Sequence, residues 1–425
     1  MEPLQLGVLA ALTPADIEIK MYDDRLESIP FDEPADLVAI TVETFTACRS
    51  YEIAAAYRAA GNPAQILMGG MHVTLLPDEA KAHADSIMTG DAEDKWSEMI
   101  DDLRCGRLKP RYDCAPVAVP QKGILTRRDI YEGKKYLPIT LLQFSRGCRY
   151  NCRFCASSVF FKQHQYTRPV EDVVAEIKSQ KRKTLFFVDD NIVADREKAK
   201  ELFRALIPLK VKWVSQGSID MLADDELMRL MVKSGCMGNV IGFESILSES
   251  IAEMGKGVNR GYMANRYADA IEKLRKYGLQ TWAAFTVGHD TDTAESILET
   301  CRFARKNKFT FAAFNILMPY PGTPYYEQLK EEGRLLYDGK WWGHPDYRFN
   351  HASFQPVHMT ADELTQAAFR CRKSFNSIGS VISRAFERRT NMRNPYRFMT
   401  YLIYNPLFRR EVFEKQGMTF GYGEK

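Results

Sequence analysis

Apolar positions in the first hundred residues change their period several times. Short runs that read as strands lie at Ile17 to Tyr22, Leu37 to Thr44 and Gln65 to Met68. Spacings of three and four predict helices over Pro3 to Leu12, over Tyr51 to Ala60, and around Trp96, Met99, Ile100 and Leu103. Strands alternating with helices predict a parallel sheet covered on both faces. The series opens on a helix, whereas a doubly wound domain opens on a strand that carries its first ligand-binding loop. One strand is missing from the front of the pattern.

From Asp113 to Lys135 prolines, glycine and charges replace the periodicity, so 113–136 reads as a linker after a first domain at 1–112. A second alternating series follows. Its strands are predicted at Ile139 to Phe144, Thr184 to Val188, Lys212 to Ser215, Asn239 to Phe243, Thr281 to Val287 and Phe311 to Met318. Helical segments lie between them, as at Pro169 to Ser179, where Val170, Val173, Val174 and Ile177 share one face. Six strand–helix units over 137–326 predict an α/β partial barrel, with its chemistry at the C-terminal ends of the strands. Residues 327–425 read as a helical domain closing the barrel. Thr360-Ala-Asp-Glu363 is a capping box opening a helix to about Arg389. The apolar tail Tyr396 to Phe408 is expected to pack against the barrel, with contact to a membrane surface as the alternative.

Charge changes this picture little. Of 425 residues, 58 are basic and 55 acidic, and a net charge of +3 gives no bulk electrostatic reason to expect nucleic acid. The N-terminus lacks a basic n-region and no apolar run reaches about 18 residues, so a cytoplasmic chain without a transmembrane segment is expected. Nine cysteines, an odd number, argue for reduced thiols rather than a disulfide framework.

Three of those cysteines stand together in Cys148-Arg-Tyr-Asn-Cys152-Arg-Phe-Cys155, directly after the first barrel strand. A structural zinc site wants four ligands, and the next candidates are His164 and Cys236. A redox dithiol would use Cys152 and Cys155 and leave Cys148 without a role. Buried core thiols would not need Arg149, Asn151 and Arg153 around them. Three thiolates can also hold three irons of a 4Fe-4S cluster, with the fourth iron open to a chelating ligand.

The spacing C-x3-C-x2-C, with an aromatic residue, Phe154, before the third cysteine and a six-unit partial barrel around it, resembles the radical S-adenosylmethionine (radical SAM) enzymes. The likeness covers Leu137 to about Tyr326. It implies a 4Fe-4S cluster on Cys148, Cys152 and Cys155, S-adenosylmethionine on the fourth iron, an electron donor such as flavodoxin or ferredoxin, and a small-molecule, biosynthetic substrate. It places the methionine amino group by Asp189 and Asp190, where this sequence has Asp-Asp-Asn in place of the usual Gly-Gly-Glu. Gln216 and Ser218 end strand three. Glu244 resembles the residue that accepts bonds from the ribose hydroxyls, and Leu317 and Met318 stand where backbone groups carry the adenine. His289 is expected either to touch substrate or to be bonded into its loop. Trp341 to His344, Tyr347 and Arg348 are candidates for closing the cavity.

Residues Met1 to about Arg111 resemble the cobalamin-binding domain that precedes the barrel in one branch of these enzymes. The segments Met21 to Arg25, Asp36 to Ile40, Gly69 to Thr74 and Thr89 to Glu93 carry that likeness. The Asp-x-His-x-x-Gly signature of an axial histidine is absent, so cobalamin stays open. With it, the implied reaction is methylation of an unreactive carbon or phosphorus centre. Without it, the radical made from S-adenosylmethionine acts directly, or a 3-amino-3-carboxypropyl group is transferred, with a metalloid among the acceptors. Cys48, Cys236, Cys301 and Cys371 could hold such an acceptor, although buried core positions suit them better. A non-enzymatic iron–sulfur redox sensor is the remaining alternative.

Overall fold

The computed structural model describes residues 1–260 and 266–421. Its first unit is a parallel sheet in the order β1 (Leu37–Thr41), β2 (Gln65–Gly69), β3 (Ser86–Thr89) and β4 (Arg111–Asp113). Alternation sends Leu67 and Met88 to one face, against α1 (Leu4–Leu12) and α3 (Trp96–Arg104). Ile66, Met68 and Ile87 point to the other, against α2 (Ala47–Ala59). Sequence periodicity missed β3 and β4 because four and three residues are too few to show a period.

The predicted strand at Ile17 to Tyr22 forms no ladder. β1 pairs only with β2 among the described residues, so no strand stands where this segment could bond, and Ile17 instead packs into the cluster that holds Leu37. The linker folds back on α1: Arg127 N donates to Gly7 O at 3.0 Å and Tyr131 Oη to Pro3 O at 2.8 Å. A Cβ on Gly7 would lie 2.5 Å from both Thr126 and Tyr131, so glycine lets this close approach occur.

The second unit is a six-stranded parallel sheet, ordered β12-β11-β10-β9-β8-β5. The strands are β5 (Thr140–Leu142), β8 (Thr184–Phe187), β9 (Lys212–Gly217), β10 (Cys236–Glu244), β11 (Gln280–Val287) and β12 (Phe311–Ile316), each near its predicted place. A short antiparallel ribbon, β6 (Ser145–Gly147) with β7 (Gln165–Thr167), follows the first strand. β5 and β12 do not pair, so the barrel is partial.

Helices α4 (Val170–Ser179), α5 (Arg196–Leu206), α6 (Asp225–Lys233), α7 (Arg266–Tyr277) and α8 (Ala294–Lys306) are the main crossover helices. Every second strand residue faces them and is fully buried: Phe187, Trp213, Ile241, Phe285 and Phe314. Trp213 stacks on Phe203 of α5 with ring centres 5.0 Å apart. The intervening residues, such as Phe186, Gln216, Ala284 and Thr286, are only half-buried, because they face the open lumen. At the N-terminal end of the barrel the lumen is plugged by Trp282, Phe311 and Phe408, with centroids 4.7 to 5.3 Å apart.

After α9 (Pro324–Glu331) come α10 (Ala361–Phe375), α11 (Ile378–Ala385) and α12 (Pro395–Glu414). The long helix expected from Thr360 to about Arg389 is divided at Asn376. Ser377 caps a new helix by accepting from Ser380 N, which ends the first at Phe375. These last helices do not close the mouth of the barrel as expected. Arg384 donates to Phe309 O and Thr310 O at 2.9 and 2.8 Å, and Arg397 donates to Gly278 O and Cys236 O. All four carbonyls lie at the N-terminal ends of β10, β11 and β12, so α11 and α12 cap the end opposite the strand-end loops.

Candidate active site

The ribbon turns the chain sharply after β5. Gly147 has φ of +78°, and a Cβ there would stand 2.2 Å from His164 O, so only glycine fits. The cysteine loop that follows is tied from several sides. Tyr150 Oη donates to Asp220 Oδ2 at 2.8 Å, Arg153 N donates to Met254 O at 3.1 Å, and Tyr325 N donates to Arg153 O at 3.1 Å. Arg146 reaches the first unit, 2.5 Å from Glu93 and 3.3 Å from Asp91. Cys148, Cys152 and Cys155 stay half-exposed and unpaired in disulfides.

Asp189 and Asp190, expected beside the methionine amino group, are both bonded to the chain around the cysteine loop. Asp189 is fully buried and accepts from Phe144 N at 3.2 Å, from Ser145 Oγ at 2.6 Å and from Ser145 N. Burial pushes its carboxyl up to about 7 against those bonds. Asp190 accepts from Gly147 N at 2.8 Å and Ser157 Oγ at 2.7 Å, on either side of the three cysteines. Both carboxylates therefore hold the cluster loop and are already engaged. The neighbour that does reach the thiols is Asn191, whose Nδ2 lies 3.9 Å from Cys148 Sγ and donates to Ser218 Oγ at 3.0 Å. Its place in the same Asp-Asp-Asn motif was the available signal.

Glu244 ends β10 with φ of +63°, a left-handed conformation uncommon outside glycine. Its carboxylate is paired with Lys256, which also donates to Gly242 O at 3.2 Å. The positive charge of Lys256 acts on Cys152 and Cys155 as well. Burial pushes the Cys152 thiol up to about 12 while Lys256 opposes it. A lone lysine twelve residues beyond Glu244 carries no spacing signal, and sequence reasoning missed it.

The other expected residues divide between lumen and core. Gln216 faces the lumen on β9. Ser218 hydrogen-bonds Asp220 and Asn191. Phe154 packs against the barrel core. Leu317 is buried there, and its N–H donates to Val287 O at 2.9 Å, so that backbone donor is not open to an adenine. Met318 packs toward the first unit. His289 is buried and bonded into its loop, Nε2 being 3.0 Å from Thr286 Oγ1, and burial lowers its basicity. Trp341 and Trp342 do not close the cavity. Their indoles bond Pro319 O and Glu79 at 2.9 Å and join the barrel to the first unit. His344 and Tyr347 lie against Tyr337 beside them, and Arg348 donates to the backbone of Pro345 and Tyr347. Cys48, Cys236, Cys301 and Cys371 are buried at separate places, apart from the adjoining Cys301 and Cys371.

The donor chemistry suits an iron–sulfur cluster. The three thiols act electrostatically on one another, next to an amide donor and a buried cation. Among the described residues no three His, Cys, Asp or Glu side chains converge on a single ion, nor does a cluster with one thiolate on each of three irons require it.

A family model described as the radical SAM superfamily matches residues 142–304. Bacteriochlorophyllide d C-8(2)-methyltransferase of Chlorobaculum tepidum is 32% identical over 354 residues, 78% of this chain and 77% of that protein. The chain belongs to the radical SAM superfamily. Hopanoid C-2 methylase of Rhodopseudomonas palustris is 22% identical over 93% of this chain and 76% of its own length. The fold matches the cobalamin-dependent S-adenosylmethionine radical enzyme OxsB, solved with aqua-cobalamin, at TM-score 0.62 and 15% identity, over 90% of this chain and 64% of that one. TsrM from Kitasatospora setae, solved with cobalamin and a [4Fe-4S] cluster, gives 0.57 at 16% identity over 71% and 66%. This radical SAM chain is an enzyme of the 4Fe-4S cluster and S-adenosylmethionine, and among the described residues no helix is long and apolar enough to cross a membrane.

Proposed function

We propose that the enzyme transfers a methyl group derived from S-adenosylmethionine to a small molecule held over the cluster in the barrel mouth. The observation that carries this reading is the likeness to a methyltransferase over more than three quarters of both chains. The site agrees with it. The lumen is plugged at its far end by Trp282, Phe311 and Phe408, so a substrate enters and leaves by the end that holds the thiols. When bound, the cluster supplies the electron that splits a carbon–sulfur bond of the sulfonium. The chain's own part is to fix the loop through Asp189 and Asp190, to balance charge through Lys256, and to exclude water with the half-buried strand residues.

A corrinoid would have to be seated against the strand-end loops of the first unit. Its nucleotide tail needs a crevice where strand order reverses, and β1 to β4 run in unbroken order. The strand-end loops pack on one another: a Cβ on Gly70 would meet Val42 O at 2.7 Å, and one on Gly90 would meet Cys114 O at 2.5 Å. Phe45, Tyr320 and Trp341 fill the adjoining junction, 5.0 to 6.0 Å apart. The solved neighbours that contain cobalamin favour a second reading, in which it relays the methyl group.

Anaerobically reconstituted protein, reduced in the presence of methyl-labelled S-adenosylmethionine, separates the readings. S-Adenosylhomocysteine is expected, as the group left behind by methyl transfer, and 5′-deoxyadenosine without it would mean hydrogen abstraction with no methyl moved. 5′-Methylthioadenosine as the sole product would sink methyl transfer in favour of 3-amino-3-carboxypropyl transfer. Stoichiometric uptake of hydroxocobalamin would establish the second reading.

A further inference from the structure

Helix α12 turns polar side chains inward along with the ring of Phe408. Its buried stripe is Arg397, Tyr401 and Asn405, which bond barrel carbonyls, Val381 O and Arg384 respectively. At about 100° per residue, the side opposite that stripe carries Met399, Ile403 and Leu407, exposed at 54, 53 and 40%. The neighbouring α11 repeats the pattern. Ser380 and Arg384 are buried, whereas Ile378, Ile382 and Phe386, spaced by four, are exposed at 65, 55 and 62%. An ordinary surface helix turns its apolar stripe inward. Here two adjoining helices present theirs outward, at the barrel end away from the cluster.

Charge says what such a face would meet. Residues 378–415 hold eight Lys or Arg and three Glu. One step around α11 from Ile382, an open groove of about 280 Å³ is lined by Arg302, Arg305, Lys306, Ser380, Ser383 and Arg384. Arg384 is spent on carbonyls and Arg302 is paired with Glu295, so Arg305, Lys306 and the Ser383 hydroxyl are the groups that suit a phosphate, and the apolar stripe beside them suits acyl chains. A second copy of the chain fits worse, because a twofold contact would set these basic helices against themselves. We propose that α11 and α12 form a docking face for an anionic phospholipid surface, with a lipid headgroup phosphate in the Arg302–Arg384 groove.

The test uses the full-length, cluster-loaded protein with vesicles of phosphatidylcholine alone or with phosphatidylglycerol added. The expected result is co-sedimentation with the anionic vesicles only, weakened when salt rises from about 0.1 M to about 1 M and the screening length falls from about 10 Å to about 3 Å. Ile382→Asp and Ile403→Asp, both at exposed positions, should each cut the bound fraction about tenfold while leaving reductive cleavage of S-adenosylmethionine unchanged. Arg305→Glu with Lys306→Glu should remove the preference for phosphatidylglycerol. Binding of inorganic phosphate without vesicle binding would reduce the groove to a free-anion site and overturn the docking proposal. So would a dimer, seen by light scattering, that Ile403→Asp dissociates in the absence of any lipid effect.

Discussion

Glu79 is the residue on which the joint between the first unit and the barrel can be measured. Its carboxylate takes bonds from Tyr51 Oη and His72 Nε2 at 3.3 Å, Trp342 Nε1 at 2.9 Å and Lys340 Nζ at 3.2 Å. Burial alone would raise its pKa, but the bonds from His72, Trp342 and Lys340 prevail and hold it at about 2, against an ordinary value of 4.5. The side chain is 20% exposed, so solvent screening removes little. The difference is worth about 3 kcal/mol of folding free energy. Because the folded value is the lower one, this stability is complete above about pH 5 and is lost as pH falls toward 2. Glu79→Gln keeps the shape and removes the charge. Urea unfolding followed by tryptophan fluorescence should show the variant about 2 to 3 kcal/mol less stable at pH 7, with the gap closing below about pH 4. An undiminished gap at low pH, or none at neutral pH, would refute the ionic account of this joint.

Replacing Cys148, Cys152 or Cys155 by Ala should each abolish the four-iron cluster, as read by iron content and visible absorption, with an intact cluster in any one of them excluding that ligand. Asp189→Ala leaves the N–H groups of Phe144 and Ser145 without their buried acceptor. A loss of about 2 to 5 kcal/mol and poor iron retention are expected, against a smaller effect for Asp190→Ala. Lys256→Met strands the Glu244 carboxylate at a cost of about 3 to 5 kcal/mol. It should also lower the cluster's reduction potential in an EPR-monitored titration, which a purely structural role would not move. Arg384→Met removes donors from five acceptors and should lower the melting temperature by about 10 °C.

Strand and helix positions in the barrel were legible because its crossovers are long enough to show two periods in turn. The cysteine loop was legible because three thiols in eight positions leave few chemistries. Side-chain direction was not. Asp189 and Asp190 sit where ligand contacts were expected, yet a buried loop needs acceptors for its own N–H groups, and nothing in a two-residue motif says which need wins. Lys256 was invisible for the converse reason, since its partner lies across a strand-end turn rather than at a helical spacing. The tail from Tyr396 to Phe408 reads as apolar throughout, and its inversion shows only when Arg397, Tyr401 and Asn405 are seen to serve barrel carbonyls.

The two ends of the barrel divide the work. At the mouth, Arg146 joins the cluster loop to Asp91 and Glu93, and Asp91 also accepts from Val117 N of the linker at 3.1 Å. Movement of the first unit would therefore pull directly on the residue two positions before Cys148. At the far end, polar side chains bind strand carbonyls and aromatic rings fill the lumen, so nothing passes there. The unpaired edges of β5 and β12 are not open doors either. Arg128 donates to Leu141 O on one side, and on the other Arg372 of α10 donates to Phe314 O at 3.0 Å. The mouth is the route these contacts leave open, and the junction that Glu79 and Trp342 hold together fixes the first unit beside it. A variant that loosens that junction, such as Glu79→Gln, should change the apparent substrate affinity more than the cluster's iron content, and equal losses of both would place the entrance elsewhere.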